Sequence, residues 1–311
     1  MLSWRDYFPK IYWCTIMSNK IANDNLSIKL NDGRQLGFAE YGDTNGQPIF
    51  YFHGFPGSRL EAGHLHDIAA SNRYRLIGID RPGMGLSSID IKRSITSWVA
   101  DVEAFADSLG IEKFSILGHS GGAPFVAACA YMIPHRLNGA AIVSGMAPFE
   151  NPESQVCLAW GQRIANHMIK AMPWLALVMM KLTAMMLKNS SSMMKQMLKQ
   201  LPEIDQNVFH DPANSKAIIG ATLEAFRNGV GGASQEMKLL LKPWGFDLEN
   251  IKYPISIWQG ALDKQVPASH GTIFANLIPN AQLKLFEHEG HHSLIRNHGE
   301  KILQTICSGI D

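Results

Sequence analysis

Gly118-His119-Ser120-Gly121-Gly122 is the run of this chain with the plainest chemical potential. It follows the apolar stretch Phe114 to Leu117 and precedes the helical-looking segment Ala123 to Tyr131, so Ser120 falls on a strand-to-helix elbow. Such a turn forces the serine into a strained backbone, and glycines two places before and two after let the neighbouring strand and helix approach. The hydroxyl is then held out at the end of the sheet, where the N-terminus of the next helix offers N–H groups to an oxyanion.

A serine hydroxyl is a weak nucleophile near neutral pH. It needs a histidine to take its proton and a carboxylate to fix that histidine's tautomer. Asp263 ends the strand-to-loop run Trp258 to Asp263, before Val266-Pro267 opens the next helix. One helix and one strand later, Glu289-Gly290-His291-His292-Ser293 delivers His291 to the same carboxyl edge. The chain order Ser120, Asp263, His291 is the one expected for an elbow on a parallel sheet. His292 and Glu150 are the competing histidine and acid. An extended loop would turn His292 to the opposite side, and Glu150 borders a different kind of sequence. An oxyanion needs two convergent donors: the Gly121 amide follows the nucleophile directly, and the sharp turn His53-Gly54-Phe55-Pro56-Gly57 aims the Phe55 amide at the same point.

The elements that must position these groups alternate. Leu26 to Leu30, Leu36 to Tyr41, Pro48 to His53 and Arg75 to Asp80 read as strands, with Glu61 to Ala70 helical between the last two. Ser94 can cap a helix whose apolar positions Trp98, Val99, Val102, Phe105 and Leu109 recur at helical spacing. Gly139 to Ser144 is a further strand. After about a hundred residues the alternation resumes with a strand at Ile255 to Gln259, a helix at Ser269 to Leu277, a strand at Leu283 to His288 and a helix from Ser293 to Cys307. Parallel strands joined by helices predict an α/β fold, a three-layer α/β/α sandwich with a mostly parallel sheet. The break, residues 147–244, reads as an inserted helical lid. Residues 25–146 and 245–311 form the core, and residues 1–24 an N-terminal arm or leader.

Most of the 15 methionines fall in the break, among them Met168, Met172, Met179, Met180, Met185, Met186, Met193, Met194 and Met197. They read as helix core, with a subset facing a substrate cavity as the functional alternative. Ala171 to Leu187 is strongly apolar, but Pro173 and Lys181 interrupt it and it falls short of the ~20 residues of a membrane span, so no transmembrane span is expected. Met1 to Met17 carries five aromatic residues among Arg5, Asp6 and Lys10 and lacks the apolar region of a signal peptide. It reads as a leader upstream of an alternative start at Met17, or as an interfacial aromatic arm. A net charge of +1 without a polybasic stretch argues against a nucleic-acid partner. The four cysteines lack metal or disulfide spacing, which fits a reducing, cytoplasmic compartment. No Rossmann fingerprint or P-loop occurs, and His288, His291 and His292 lack a second spaced ligand pair, so neither a cofactor nor a metal is expected.

With the elbow, the acid and histidine loops, His53-Gly54-x-Pro56-Gly57 and Asp80-Arg81-Pro82-Gly83-Met84-Gly85-Leu86-Ser87, the chain resembles the α/β-hydrolase superfamily from about Leu26 to its end. The resemblance implies a carboxylesterase-like serine hydrolase with a lid between the sixth and seventh strands. Ser120 would be the nucleophile, His291 the base, Asp263 the orienting acid, and the Phe55 and Gly121 amides the oxyanion hole. Epoxide hydrolases and haloalkane dehalogenases of this superfamily carry aspartate where this chain has Ser120. Proline iminopeptidases share the His-Gly-x-Pro-Gly turn but usually carry Gly-Gly-Ser-Trp-Gly at the elbow. The expected activity is therefore cleavage of a small or medium apolar carboxylic ester. Carbon–carbon or amide hydrolysis, acyl transfer to an alcohol, and a ligand receptor on the same fold are the alternatives. Oligomeric state is not legible.

Overall fold

The strand that leads to Ser120 is buried at all of its positions, as a strand covered on both faces must be. It lies near the middle of an eight-stranded sheet in the computed structural model, which describes residues 23–156, 158–189 and 196–308. The strands are β1 (Asn23–Lys29), β2 (Gln35–Gly42), β3 (Gln47–Phe52), β4 (Tyr74–Ile79), β5 (Phe114–His119), β6 (Leu137–Val143), β7 (Ile255–Gly260) and β8 (Ala281–Phe286). Their spatial order is β1-β2-β4-β3-β5-β6-β7-β8. The β1–β2 and β2–β4 pairs are antiparallel, and every later pair is parallel.

The α-helices are α1 (His66–Ser71), α2 (Ser97–Ser108), α3 (Ala123–Met132), α4 (Pro152–Val156), α5 (Trp160–Ala171), α6 (Leu175–Asn189), α7 (Glu203–His210), α8 (Pro212–Ala225), α9 (Gly231–Leu240), α10 (Ser269–Leu277) and α11 (His291–Ser308). One face of the sheet packs Phe50, Phe52 and Ile116 against Trp98, Phe105, Phe125 and Phe274 of α2, α3 and α10. The other packs Ile49, Tyr51 and Leu117 against Leu65, Ala69 and the α11 residues Leu294, Ile302 and Ile306. These are the three layers predicted. Ser94 does cap the turn into α2, its Oγ accepting the Ser97 N–H at 2.9 Å.

Several boundaries move, β6 starting at Leu137 rather than Gly139 and β8 spanning Ala281–Phe286 rather than Leu283 to His288. The helix expected over Glu61 to Ala70 divides into a 3-10 turn, Arg59–Leu65, and α1, with the His64 ring turned back onto the Glu61 carbonyl. β1 starts at Asn23, inside the stretch read as an arm; the rest of that arm lies outside the described residues, as do Met193 and Met194. The last helix begins at His291 rather than Ser293.

Between β6 and β7 the regular elements among the described residues are helices, α4 to α9 and a 3-10 turn at Leu248–Asn250, and the chain returns to the core at Trp244. Two ion clusters tie this segment to the sheet, one through Arg59, which lies 2.9 Å from Asp80 and 2.8 Å from Glu224 of α8, and a fully buried one around Glu236. Arg81, just beyond β4, donates to Glu236 of α9 at 2.8 and 2.5 Å, and Arg93 lies 3.0 Å from the same carboxylate. Arg81 also donates to the carbonyls of His53 and Gly54 at 2.6 and 3.1 Å, bracing the turn after β3. Burial opposes ionisation of Glu236, but the two guanidinium groups outweigh it and hold its pKa below the ordinary carboxylate value. Glu236→Ala strands both cations in a dry site, and a loss of ~3–5 kcal/mol is expected. Urea unfolding of the variant beside the parent checks this; equal midpoints would show that the cluster adds nothing.

Candidate active site

The sharpness of the elbow follows from what its glycines touch. A Cβ on Gly122 would sit 2.2 Å from the Phe52 carbonyl oxygen, and one on Gly118 would sit 2.6 Å from the Val126 side chain and 2.8 Å from the Gly122 carbonyl. Side chains at either position would push β5 from β3 or lift α3 from β5. Ser120 between them has φ of 52°, the left-handed region that non-glycine residues avoid at a cost of about 1–3 kcal/mol.

The turn after β3 closes over this elbow. A Cβ on Gly121 would lie 2.7 Å from Phe55 Cβ and 3.2 Å from the Phe55 amide nitrogen, and one on Gly54 would lie 3.5 Å from Ser120 Cβ. The two amides expected to serve an oxyanion therefore belong to backbones in contact. Glu61 fastens the same turn from beneath, accepting the Gly54 N–H at 3.0 Å and the Tyr51 hydroxyl at 2.9 Å.

Asp263 and His291 meet where their strands end. His291 Nδ1 lies 2.7 Å from Asp263 Oδ2, both side chains being buried. Asp263 Oδ1 accepts the amides of Gln265 and Val266 at 2.8 Å each, so the carboxylate cannot rotate freely. An ionised carboxylate only accepts, which puts a proton on Nδ1 and leaves Nε2 as the basic nitrogen. Burial depresses the His291 pKa. The charge and hydrogen bond of Asp263, with smaller help from Asp205 and Glu61, more than reverse that, and the net shift is upward from 6.5.

The competing residues fall elsewhere. Glu150 lines a separate surface pocket with Asp247 and Glu249. His292 does not turn to the opposite side: because α11 starts at His291, its ring lies 5.0 Å from that of His291 and faces the same cavity. Burial, then the neighbouring His291 and His119, push the His292 pKa well below 6.5.

Glu61, His119 and Asp205 are not singled out by the sequence. His119 places Nδ1 2.8 Å from Glu61 Oε1 and Nε2 3.3 Å from the His291 carbonyl, linking the turn after β3 to the histidine loop. A histidine ending a fully buried strand was the available signal. Asp205 of α7, fully buried, accepts the backbone N–H groups of His291, His292 and Ser293, each at 2.9 Å. A carboxylate there satisfies the orphan donors of α11 and complements its dipole. Nothing in the sequence announces this cap, which lies 86 residues before His291.

Ser120 and His291 open onto a cavity of about 290 Å³. Its floor holds Glu61, His64 and His119, and its walls include Met186, Leu187, Leu198, Val208 and Phe209. Burial holds His64 down near pKa 4; burial also opposes ionisation of Glu61, but the His119 hydrogen bond, with help from His53 and His64, outweighs it and holds the Glu61 pKa below the ordinary carboxylate value.

Eight strands in this order, with an elbow after β5, define the doubly covered sheet of the α/β hydrolases, and the comparisons agree. The profile of the alpha/beta hydrolase fold matches residues 47–297, so the chain belongs to that family. Among solved structures, an esterase from Exiguobacterium antarcticum aligns with a TM-score of 0.67 at 19% identity, covering 91% of this chain and 98% of that one. An enol-lactonase from Burkholderia xenovorans LB400 aligns with a TM-score of 0.66 at 16% identity, covering 91% of this chain and 100% of that one. Among curated proteins, epoxide hydrolase B of Mycobacterium tuberculosis is 34% identical over 34% of this chain, and a proline iminopeptidase of Xanthomonas citri 32% identical over 33%. These matches span only 30% and 34% of the relatives' own lengths.

Asp205→Ala is predicted to slow phosphonylation of Ser120 by a fluorophosphonate by about tenfold, since three buried N–H groups lose their acceptor. It also removes a negative charge that favours protonated His291. The acidic limb of the labelling rate should therefore move to lower pH, while Asp205→Asn, which keeps an acceptor, recovers part of the rate. A pH–rate series on the three proteins checks both effects; an unmoved limb would show that His291 does not sense this charge.

Proposed function

We propose that the chain is a cofactor-free serine hydrolase that cleaves a small or medium apolar carboxylic ester through an acyl-enzyme. The observation that carries this reading is the 2.7 Å contact of His291 with Asp263 beside a cavity that also exposes the left-handed Ser120. In the proposed mechanism Ser120 Oγ attacks the ester carbonyl as His291 Nε2 takes its proton. The Phe55 and Gly121 amides receive the oxyanion, a contribution worth about 3 kcal/mol per donor. Collapse breaks the C–O bond, and His291 gives its proton to the departing alcohol. Water then attacks the acyl-serine with His291 again as base, releasing the acid and restoring Ser120.

The esterase and lactonase neighbours support this chemistry, and serine at the elbow argues against the epoxide hydrolase relatives' reaction. In this reading residues 25–146 and 245–311 are the catalytic core, and residues 147–244 are a lid. The cavity volume lies at the lower edge of the ~300–1,000 Å³ usual for small-molecule sites, which supports a compact acyl group. Met186 and Met197 line it, whereas Met180 is buried in a separate cluster beneath the segment, which separates cavity methionines from packing ones. The unpaired thiols of Cys129 and Cys307 are in keeping with a reducing, cytoplasmic setting.

Ser120→Ala is expected to lower ester turnover by several orders of magnitude, roughly 10³-fold or more, with an unchanged melting temperature. Across nitrophenyl esters kcat/KM should climb with acyl length by up to ~0.8 kcal/mol per methylene, then fall once the cavity is full. Retention of a tenth of parental turnover by the variant would sink the nucleophile. A larger rate on an amide or a diketone than on any ester would move the activity to those bonds, and no turnover of any of them would favour a receptor.

Asp263→Asn should cost roughly 10⁴-fold in kcat through the wrong histidine tautomer, and Glu150→Gln should cost little. Steady-state kinetics on the best ester decide between the two acids, and a reversed outcome would reassign the role to Glu150.

A further inference from the structure

Eleven of the seventeen large apolar side chains that are exposed among the described residues lie between Val156 and Met197. Single exposed apolar residues are ordinary, but a concentration of this kind on one segment is not. Trp160 is 79% exposed and Trp174 62%, and the two flank α5, a helix whose outward stripe Trp160, Ile164 and Met168 recurs every four residues. Arg163 is exposed beside that stripe on the same helix, and Lys170, also exposed, holds its ammonium 5.6 Å from the centre of the Phe149 ring. The next helix repeats the arrangement. On α6, Val178, Leu182 and Met185 are exposed with Lys181 and Lys188 beside them, while Ala176, Met180 and Ala184 are buried on the opposite side.

Charge distinguishes this surface further. From Ser154 to Pro202 the chain carries Arg163, Lys170, Lys181, Lys188, Lys195 and Lys199 and not one Asp or Glu, in a protein whose net charge is +1. The five of these cations among the described residues are exposed and take part in no salt bridge. Tryptophan and aliphatic side chains edged by lysine, without acids, match the interfacial layer of a bilayer: the apolar groups enter the acyl boundary and the ammonium groups stay among phosphates. A second copy of this chain would meet the same positive charge, and no helix among the described residues is long and apolar enough to span a membrane. We propose that α5, α6 and the Trp174 turn between them form a docking surface for an anionic lipid bilayer. α6 lines the cavity through Thr183, Met186 and Leu187, so one helix separates the docked surface from the site. The inference does not depend on which bond the site cleaves.

Flotation of the full chain with phosphatidylcholine vesicles, with and without about 30 mol% phosphatidylglycerol, tests it. Binding is expected only to the anionic vesicles, with a blue shift of tryptophan emission and loss in high salt. Trp160→Ser with Leu182→Ser, and separately Lys181→Glu with Lys188→Glu, should each lower the partition coefficient at least about tenfold, with parental melting temperatures. Equal binding to neutral and anionic vesicles, or binding that both double variants retain, overturns the proposal. So does a dimer in analytical ultracentrifugation that Trp160→Ser with Leu182→Ser dissolves, since the face would then belong to a second copy.

Discussion

The closeness of β5, β3 and α3 at the elbow is the constraint from which the rest of the site follows. With less than a methyl group's room between Gly122 and the Phe52 carbonyl, the chain can leave β5 only by turning at Ser120, and the left-handed φ at that residue results. The same closeness brings the turn after β3 against Gly121. The strain is local, and it is held by a sheet whose central strands are buried on both faces. Loss of that packing would let the serine relax into an ordinary helix start, with its hydroxyl no longer presented to the cavity.

Charge organises the second level. Asp263, Glu61 and Asp205 approach the His119, His291 and His292 loops from three elements distant in sequence, each acting on a different part. Asp263 addresses the imidazole and Asp205 the backbone amides, while Glu61 joins the turn after β3 to His119. Asp263 and Asp205 are buried and Glu61 largely so, and each must have partners. Those partners are the backbone of the turn after β3, the loops after β7 and β8, and the buried rings. Rigidity there is a by-product of satisfying buried carboxylates.

Much of this was legible in the sequence because it is periodic or local. The alternation of apolar runs and amphipathic stretches fixes the layers, and Gly118, Gly122 and the turn at Gly54 are readable since only glycine tolerates such contact. The start of α11 was misread by two residues because the signal that starts it is not local: the capping group is Asp205, on a helix whose own sequence, Glu203 to His210, looks like any exposed amphipathic turn. The division of methionines between cavity, packing and solvent was illegible for a related reason. Three helix faces of similar composition are assigned only when neighbouring helices choose among them.

The cap on α11 also binds two parts of the chain in a common equilibrium. Whatever displaces α7 withdraws the acceptor from the His291, His292 and Ser293 amides, and by reciprocity whatever stiffens the start of α11 steadies α7. The protection of those three amides against hydrogen exchange therefore reports on the helical segment as much as on the loop that contains them. Motion between β6 and β7, far along the chain, would register first as solvent reaching the backbone of His291.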